Sequence, residues 1–550
     1  MTRSSPDRYQ YDLVKTEFDV KYYLACHPDV EAAGVDALDH FMVHGWREGR
    51  NPSREFDVRY YLATNTDVDA IGMNPFVHYL QSGRLEGRLP RRPLDMWRRQ
   101  IESAKPIHER QKDWGSAADV SPALSHSEVI EKLHGRNLGI GLVISVSHDD
   151  YKNSFGGIQN IISDEQQLFG ENGWSYLHLS PAKPLPMLSD TSSIADFRVK
   201  LRLDGDALGV TTAQTLMAVL QEWLPEARKV ELLVHHLLGH SPEIVAEIAR
   251  VLRVTRTKVW LHDFFTLCSS YALMRNDVAF CGAPPTDSGA CRICTYGGAR
   301  AEHTRRMQRF FKELVPDVAA PSNGALQFWL TQSNYRASSH RVIAPANVYL
   351  ARASSDYPAT PSARPLTVAH IGARSFLKGW NVFEELALRF KKDPRFRFVQ
   401  LGAEDGSPLI GCIKNVPVKV SADNRSAMIE AVAEQNVDVV LSWSLWPETF
   451  CFAVHEGLAG GAFIVARKGA GNVWPAVSSL APKRGVALGD LDSLFELFDS
   501  GDLERLVTSS PRLRGAVLSD RHSYGWVTAQ RQLEKIGASH QHDSEKVTHG

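Results

Sequence analysis

Two glutamates flank the start of a short predicted helix in the second half of the chain. Glu448 follows the apolar run 437–441, and Glu456 comes eight positions later. The run predicts a buried strand of a parallel sheet, and ligands of open α/β sheets bind outside the carboxyl ends of such strands. The spacing therefore predicts two carboxylates and a helix N-terminus beside one ligand. Two surface glutamates on an ordinary βαβ unit are the alternative.

Two cations stand in a loop that precedes this segment. Arg374 and Lys378 follow the apolar run 366–371, which predicts another strand, and a predicted helix follows Gly379. Arginine presents a planar fork of donors that suits phosphate oxygens, and lysine adds a compact charge. The loop therefore predicts a phosphate site, with two solvated loop cations as the alternative.

Paired glycines follow the first predicted strand of the α/β part of the chain. Gly156 and Gly157 come after the apolar run 138–146 and before a predicted helix that continues to Gly170. Because glycine has no Cβ, the backbone at such a position can approach a phosphate or a sugar closely at a helix N-terminus. We therefore expect both glycines to border a bound ligand.

Four of the seven cysteines fall within a short segment, at Cys268, Cys281, Cys291 and Cys294. The odd total, in a chain whose N-terminus lacks the apolar core of a signal peptide, argues against a disulfide framework. A C-x-x-C pair with two more cysteines at loop distance could hold a structural zinc through four thiolates. Reduced, buried thiols are the other interpretation, because the intervals are not those of a standard zinc ribbon or finger.

Length and composition indicate a globular protein with several domains. The 550 residues are enough for three or four domains. Lys+Arg 62 against Asp+Glu 63 leaves no basic excess for nucleic-acid binding. No apolar run approaches the ~20 residues of a membrane span. We expect a cytoplasmic protein, and docking at the inner face of the membrane is compatible with the sequence.

The first ninety residues contain an internal repeat. The segment that begins at Phe18 recurs at Phe56, and matching positions keep an offset of 38 residues throughout. Each copy predicts two short helices with a glycine at the turn, and one copy alone would bury little surface. We expect residues 1–90 to form a helical unit for packing or for binding a protein or membrane partner, followed by a linker over 91–136.

Predicted strands and helices alternate along the remainder of the chain, which indicates an α/β protein with two Rossmann-like domains whose parallel sheets face a cleft. There is no G-x-G-x-x-G fingerprint and no Walker A lysine, so dinucleotide and P-loop functions lose their main support. Asp-x-Asp matches such as Asp204-Gly205-Asp206 follow no convincing strand, as a metal-binding motif of this type would have to. The predicted segments are a first domain over 137–350, a linker over 351–365, a second domain over 366–512, a helix crossing back over 513–536 and a disordered tail over 537–550.

The chain resembles retaining glycosyltransferases of the GT-B fold, most closely glycosyltransferase family 4, over about 138–536. The resemblance is carried by the Glu-x(7)-Glu spacing, by the loop with Arg374 and Lys378 and by the glycines after the first strand. It implies an acceptor-side first domain, a second domain that binds a nucleotide diphosphate sugar, and no cofactor requirement for catalysis. Phe450-Cys451 replaces the frequent Phe-Gly, which leaves the donor's identity open.

The resemblance also implies how the nucleotide would be held. Arg374 and Lys378 would bind the nucleotide diphosphate. Backbone amides at Phe450 and Cys451 would stabilise its charge, since they lie at the start of the predicted helix. Glu456 would hydrogen-bond the ribose hydroxyls.

The sugar would be held by other side chains of the same cleft. By resemblance, Glu448 would contact the donor sugar hydroxyls beside the reacting carbon, and His262 or His236 would position the sugar or the acceptor. His236 lies in the predicted strand segment 230–238, and His262 lies near the end of 258–263. For either histidine, a purely structural role is the alternative.

These expectations combine into one function. The chain is expected to transfer a sugar from a nucleotide diphosphate sugar to a glycan or lipid-linked acceptor with retention of configuration, in bacterial surface polysaccharide synthesis. The principal alternative is an inactive GT-B-like scaffold that acts through its N-terminal repeats. An epimerase or phosphorylase of the same fold is a third interpretation, although no lysine in a cofactor-binding context supports a pyridoxal phosphorylase.

Overall fold

The computed structural model describes residues 8–528 of the 550, except for 54, 92–94, 137, 155, 225–228, 255, 353–363, 404–409, 422, 511 and 520–521. Most of the predicted inter-domain linker, the predicted tail and the end of the predicted returning helix therefore lie outside the described residues. Among the residues that are described, no helix is both long and apolar enough to cross a membrane.

Short capped helices make up the N-terminal region. Asp19 and Asp57, one in each copy of the repeat, accept a hydrogen bond from the backbone N–H three residues later, which starts a helix. Each helix of the second copy lies 38 residues after its counterpart in the first. The elements are α1 (Arg8–Lys15), α2 (Val20–Cys26), α3 (Pro28–Ala32), α4 (Ala37–His40), α5 (Val58–Thr64), α6 (Thr66–Ala70) and α7 (Pro75–His78), with π-helical turns at Phe41–Gly45 and Tyr79–Gly83.

A tyrosine–histidine hydrogen bond lies at the centre of each copy. The hydroxyl of buried Tyr23 is 2.9 Å from Nδ1 of His40, and the hydroxyl of Tyr61 is equally close to Nδ1 of His78. A glycine faces each hydroxyl, and a Cβ at Gly83 would lie 2.0 Å from the Tyr61 oxygen. This close approach explains why a glycine ends the π-helical turn in both copies.

The segment predicted as a linker over 91–136 contains three helices, α8 (Asp95–Glu102), α9 (Ile107–Gly115) and α10 (His126–Leu133). Pro106 precedes α9 at its N-cap, so that proline marks a helix start rather than an extended linker. Ser125 and Glu128 form a capping box that starts α10. Val129 and Leu133 are buried on its inner face, so this stretch packs onto the protein.

The first α/β domain is built on a sheet of eight described strands in the order β10-β9-β6-β5-β1-β2-β3-β4. All neighbouring pairs are parallel except those made by β3. The strands of this half of the chain are β1 (Gly141–Val146), β2 (Trp174–Pro181), β3 (Arg198–Leu203), β4 (Asp206–Thr212), β5 (Lys229–Val234), β6 (Thr257–Trp260), the short pair β7 (Met274–Arg275) and β8 (Ala279–Phe280), β9 (Asp317–Ala320), β10 (Ser339–Val342) and β11 (Ala346–Arg352).

The β3–β4 hairpin is absent from the sequence predictions. Buried and half-buried residues alternate along β3, so only one face of this strand packs against the core. Asp204 and Gly205 both have positive φ, of 51° and 95°, and form the turn between the strands. The Asp-x-Asp match at this point is therefore a hairpin turn. The Asp-Gly dipeptide between alternating segments was the sequence signal for it.

Helices connect and cover the strands of this domain. They are α11 (Gly157–Glu171), α12 (Ala213–Trp223), α13 (Pro242–Val251), α14 (Gly289–Arg292), α15 (Gly297–Leu314) and α16 (Asn323–Gln332). The core between α11 and the sheet includes Val143, Ile162 and Phe169, all fully buried. The start of α11 at Gly156 and the strands that precede the histidines are therefore held by one sheet.

The second α/β domain is a parallel sheet of six described strands in the order β14-β13-β12-β15-β16-β17. Its strands are β12 (Leu366–Ile371), β13 (Phe396–Gly402), β14 (Ile413–Pro417), β15 (Val439–Ser442), β16 (Phe463–Arg467) and β17 (Gly485–Leu488). Its helices are α17 (Trp380–Arg389), α18 (Ala427–Glu434), α19 (Phe452–Ala459), α20 (Val473–Leu480), α21 (Leu491–Asp499) and α22 (Asp502–Ser509). Because β12 and β15 are neighbours, the loops that follow them lie side by side.

The chain returns to the first domain after α22, but it begins this return as a strand. β18 (Leu513–Ser519) pairs antiparallel with β11, where a helix was expected from 513. Helix α23 (His522–Thr528) follows, and Trp526 on it packs 5.5 Å from the ring of Trp260 in the first domain. The predicted α/β class and GT-B fold are confirmed, with two Rossmann-like domains that follow a small helical region along the chain.

The chain divides into two units whose boundaries differ from the predicted segments. One unit contains Met1–Glu102 together with Glu385–Asp393 and Asp492–Gly501, and the other contains the remaining residues with both large sheets. Within the first unit, Arg389 pairs with Asp57 at 2.8 Å and with Asp499 at 3.0 Å. The pair with Asp57 joins pieces of the chain that the sequence assigns to separate domains.

We expect Gly83→Ala to loosen the second copy of the repeat by about 1–3 kcal/mol, because its methyl group would overlap the Tyr61 hydroxyl. Hydrogen exchange at α5 and α7 measures the loss. The double change with Tyr61→Phe should cost less than the two single changes added together, since it removes the overlapping oxygen. Gly170→Ala, where nothing lies within 4 Å of the added carbon, is the control and should leave exchange unchanged. Unaltered exchange in Gly83→Ala would contradict this account of the glycine.

Candidate active site

The loop after β15 carries Glu448 and is held by the glycine loop after β16. The backbone of Glu448 forms a parallel bridge with Gly471, and its carbonyl accepts the N–H of Asn472 at 2.8 Å. Gly471 has a φ of 63°, and a Cβ there would lie 2.3 Å from the Glu448 carbonyl oxygen. Only glycine fits this approach without displacing the loop. The position of Glu448 is therefore set by two loops at once.

Glu448 and Lys378, predicted from separate motifs, meet in the structure. The Lys378 Nζ lies 2.7 Å from both carboxylate oxygens of Glu448. The hydroxyl of Ser444 also donates to this carboxylate. Glu448 is 3% exposed, and a carboxylate so far out of water needs such partners. Burial alone would lower the pKa of Lys378, but the charge of Glu448 outweighs it and the pKa is raised.

The cation loop is shaped by a close contact with the loop that carries Glu448. Lys378 ends a 3-10 turn that Ser375 caps, and Gly379 follows with a φ of 77°. A Cβ at Gly379 would lie 2.2 Å from the carbonyl oxygen of Trp443. Arg374 lies in the same loop, with its guanidinium carbon 5.9 Å from the ring centre of Trp380. Both predicted phosphate-binding cations therefore occupy a loop beside Glu448.

Glu456 lies half-buried on α19. No hydrogen bond or ion pair to this side chain occurs among the described residues, and burial raises its pKa to about 7. The neighbouring His455 is satisfied, because its Nδ1 lies 2.8 Å from the carbonyl oxygen of Cys451 and its ring stacks on Phe450. Burial followed by the nearby charge of Glu448 raises the pKa of Cys451 to about 11, so its thiol stays protonated at neutral pH.

The facing wall is formed by the first domain. The hydroxyl of Thr449 donates to the carbonyl oxygen of His262, which places the residue after Glu448 against the end of β6. Gly157, at the start of α11, faces the ring of Phe452, and a Cβ there would lie 3.1 Å from it. Arg425 donates to the carbonyl of Asn160 at 3.0 Å. The predicted glycine loop and strand-end histidine thus border the same cleft as Glu448.

The two candidate histidines differ in what they bond. The Leu238 N–H donates to Nδ1 of His236 at 3.0 Å, so the ring proton of His236 is on Nε2, which lies 3.0 Å from Asp263. Both of its nitrogens are used. His262 contacts Nδ1 of His235 through its Nε2 at 3.0 Å, and no described group bonds its Nδ1. Only His262 has a ring nitrogen left for a ligand.

Several histidines gather at this edge of the first sheet and are held neutral. Burial, reinforced by the neighbouring histidines, lowers the pKa of His262 well below its usual range. Burial likewise lowers the pKa of His148, whose ring packs against His236, to about 4. A neutral imidazole can donate at one nitrogen and accept at the other, so this wall offers hydrogen bonds rather than charge.

The contacts that complete the site were not foreseen. Ser444, Thr449 and Asp263 each bond a predicted residue or its backbone. Thr449 and Asp263 are sequence neighbours of predicted residues, which was the available signal for them. Ser444 carried no signal, because a serine near a strand end is common and its partner is known only once the loop is folded.

The four clustered cysteines line one small cavity beside α15. None of them forms a disulfide, and burial raises the pKa of Cys268 to about 12. The Arg300 Nη1 lies 2.7 Å from Sγ of Cys291. Among the described residues no group of three or more His, Cys, Asp or Glu side chains is arranged to hold a metal ion. The structural zinc site therefore stays a prediction.

The sequence matches no protein-family model, and no curated protein matches it. Solved structures with a similar arrangement include sucrose-phosphate synthase from Thermosynechococcus elongatus, at 12% identity and a TM-score of 0.42 over 72% of this chain and 100% of that one. The Anabaena protein HepE in complex with UDP matches at 14% identity and a TM-score of 0.39, over 67% and 92% of the two chains. The catalytic domain of starch synthase IV from Arabidopsis thaliana matches at 11% and 0.40, over 68% and 93%. Similarity at this level does not define a shared activity.

We expect Glu456→Gln to stabilise the protein at pH 8 and to have no effect near pH 4.5. The folded-state pKa of about 7 lies above the ordinary value of 4.5, so the folded protein binds this proton more tightly than the unfolded chain does. Wild-type stability therefore falls as the pH rises through that interval, and the full cost, about 2–3 kcal/mol, is present above pH 7.

Thermal melting of both proteins between pH 4.5 and pH 8 measures the difference. Glu434→Gln, which changes an exposed glutamate of α18, is the matched control and should run parallel to wild type. Parallel curves for Glu456→Gln as well would show that the carboxylate has a partner in solution.

Proposed function

We propose that this protein is a retaining glycosyltransferase, of the type found in family 4, that transfers a sugar from a nucleotide diphosphate sugar to a glycan or lipid-linked acceptor. One observation carries the proposal: Lys378 and Glu448 form an ion pair on one wall of the cleft, and Thr449 joins that wall to the carbonyl of His262 on the other. Cation, carboxylate and neutral imidazole are the groups that a diphosphate sugar requires.

The leaving diphosphate would be stabilised by Arg374, Lys378 and the backbone amides at Phe450 and Cys451. The bond from the anomeric carbon to the phosphate oxygen breaks, and the diphosphate gains negative charge as it leaves. Lys378 is suited to this role because its side chain is 40% exposed even though it holds Glu448. It can contact a phosphate without giving up the carboxylate.

The nucleoside would be held through Glu456. Burial raises the pKa of this carboxylate, and no described side chain bonds it, so ionising it is unfavourable without a hydrogen-bond donor. The two hydroxyls of a ribose would donate to its two oxygens and stabilise the ionised form. Gly157 and Gly156 would leave room for the donor at the start of α11.

The sugar would lie between Glu448 and His262. Glu448 would accept hydrogen bonds from donor hydroxyls beside the reacting carbon, where positive charge develops in an oxocarbenium-like transition state. The acceptor oxygen forms its new bond on the face that the phosphate leaves, and its proton passes to the departing phosphate. His262 would orient the sugar through its remaining ring nitrogen, whereas His236 would support the wall.

The wider setting is part of the same proposal. The acceptor would belong to a bacterial surface polysaccharide or lipid-linked glycan, and the protein would work in the cytoplasm or at the inner face of the membrane. The predicted domains over 137–350 and 366–512 would be the acceptor side and the donor side, and the N-terminal repeats would bind a membrane or protein partner.

Donor binding and turnover test the proposal. A panel of UDP, GDP, ADP and dTDP sugars is screened by thermal shift, and active donors are followed by transfer and by hydrolysis. We expect Glu448→Gln to lower transfer about 100-fold while the nucleotide diphosphate still binds, and Lys378→Met to weaken that binding as well. Glu434→Gln is the control. A panel without any shift or turnover in wild type would instead favour an inactive scaffold. The anomeric configuration of the product tests retention.

The two histidines can be separated by a matched pair of substitutions. We expect His262→Ala to lower kcat about tenfold or more, because it removes the ring nitrogen that no described group bonds, and to lower the melting temperature less than His236→Ala does, because it leaves only His235 Nδ1 without its partner. His236→Ala should lower the melting temperature, since it leaves Asp263 and the Leu238 N–H without their partner. Comparing kcat with melting temperature for both variants decides the assignment. Equal loss of kcat at equal stability would contradict it.

A further inference from the structure

Behind His262, a chain of buried side chains leads into the first domain. The Nε2 of His262 contacts Nδ1 of His235 at 3.0 Å, and the other nitrogen of His235, Nε2, lies 3.0 Å from an oxygen of Glu165. Glu165 and His235 are 2% and 1% exposed. Both side chains are thus almost wholly enclosed, and the groups that contact them belong to the protein.

Glu165 is built to accept hydrogen bonds. The hydroxyl of Tyr176 donates to its Oε2 and the indole N–H of Trp260 donates to its Oε1, each at 3.3 Å. Because both carboxylate oxygens already act as acceptors, the His235 nitrogen beside them is favoured as the protonated one. The contact has the distance of an ion pair but not the alignment of a hydrogen bond, so the preference is electrostatic.

The contact between the rings of His235 and His262 relates the proton position on one ring to that on the other. Their planes are within 5° of parallel and their centres are 5.3 Å apart. The 3.0 Å between the two nitrogens and the radii of the two rings together account for the whole distance between the ring centres. The rings therefore lie edge to edge in one plane. This is the geometry of an N–H···N hydrogen bond. In such a bond one nitrogen donates and the other accepts.

We infer that Glu165, acting through His235, is a positioning residue that sets the tautomer of His262. With the proton of His235 on Nε2, its Nδ1 accepts from Nε2–H of His262, and Nδ1 of His262 is left as a hydrogen-bond acceptor. That nitrogen, which no described group bonds, would then receive a hydroxyl proton. The role of that acceptor toward a sugar rests on the proposed function, whereas the tautomer itself does not.

The inference narrows what His262 can recognise. An unprotonated ring nitrogen accepts from an O–H or N–H group and repels a carboxylate or phosphate oxygen. The sugar group beside His262 would therefore be a free hydroxyl, and a donor whose sugar carries a carboxylate at that position would be disfavoured. Stacking of His262 on Trp260, at 5.1 Å and 14°, keeps the ring plane fixed.

Proton-detected long-range nitrogen spectra of protein labelled with 15N-histidine test the tautomer directly. His262 is one of 21 histidines, and its signal is identified by its loss in His262→Gln. We expect wild type to carry the proton on Nε2. In Glu165→Gln an amide N–H can face His235 Nε2, which favours the opposite arrangement, so the proton of His262 should move to Nδ1. Glu171→Gln, an exposed change on the same helix, should leave the signal in place.

A second variant tests the inference even if Glu165→Gln, a change at a buried residue, fails to fold. His235→Phe keeps a flat ring beside His262 but removes the accepting nitrogen, so the signal of His262 should become a mixture of both tautomers. Melting temperatures show whether each variant is folded. A wild-type proton on Nδ1, or a folded Glu165→Gln with an unmoved signal, would overturn the inference.

Kinetics then separate this inference from the proposed function. If the protein transfers sugar, Glu165→Gln should lower kcat roughly tenfold, the worth of about one hydrogen bond, and leave the donor KM within about twofold. The expected tautomer without any transfer activity would count against the proposed function alone. Transfer that is insensitive to Glu165→Gln, in a protein whose tautomer has shifted, would remove the role assigned to the accepting nitrogen.

Discussion

A carboxylate removed from water must be given a cation, hydrogen-bond donors or a proton, and the cleft is organised around three glutamates that meet this constraint differently. Glu448 is held by Lys378 and a serine hydroxyl. Glu165 receives the hydroxyl of a tyrosine and the N–H of an indole, with a histidine beside it. Glu456 has no partner in the described structure, and its pKa rises to about 7. The paired glutamates hold the walls of the cleft, and the unpaired one is available to a ligand.

The ion pair between Lys378 and Glu448 also links two levels of structure. The strands β12 and β15 are neighbours in the second sheet, so the loops that follow them meet at the same edge. Gly379 and Gly471 allow those loops to touch neighbouring backbone with no room for a side chain. The hydroxyl of Thr449 in the second domain then donates to the carbonyl oxygen of His262 in the first domain, which joins the two walls of the cleft. Chemistry at the strand ends thus depends on close backbone packing that only glycine permits.

Much of the fold could be predicted because parallel strands buried on both faces appear as continuous apolar runs. β1, β12 and β15 were predicted in this way. The β3–β4 hairpin was missed, since it alternates polar and apolar residues and its Asp-Gly turn was weighed as a metal-binding motif. The helices α9 and α10 were missed within a segment whose prolines suggested a linker. Residues 492–501, which include most of α21, belong to the helical unit, and Asp499 pairs there with Arg59 at 2.6 Å, a contact between residues far apart in the chain.

By itself the sequence determined the features whose causes lie within a few neighbouring residues: the apolar strands, the 38-residue repeat, the places of Arg374, Lys378 and Glu448 after strand ends, and that of Glu456 on the helix that follows. Only the tertiary structure decided which of these side chains meet. It paired Lys378 with Glu448 across 70 residues, used both nitrogens of His236 and left one on His262. The physical reason is that periodicity and capping act along the chain, whereas a hydrogen bond or ion pair depends on distances in space that exist only after the two sheets have packed.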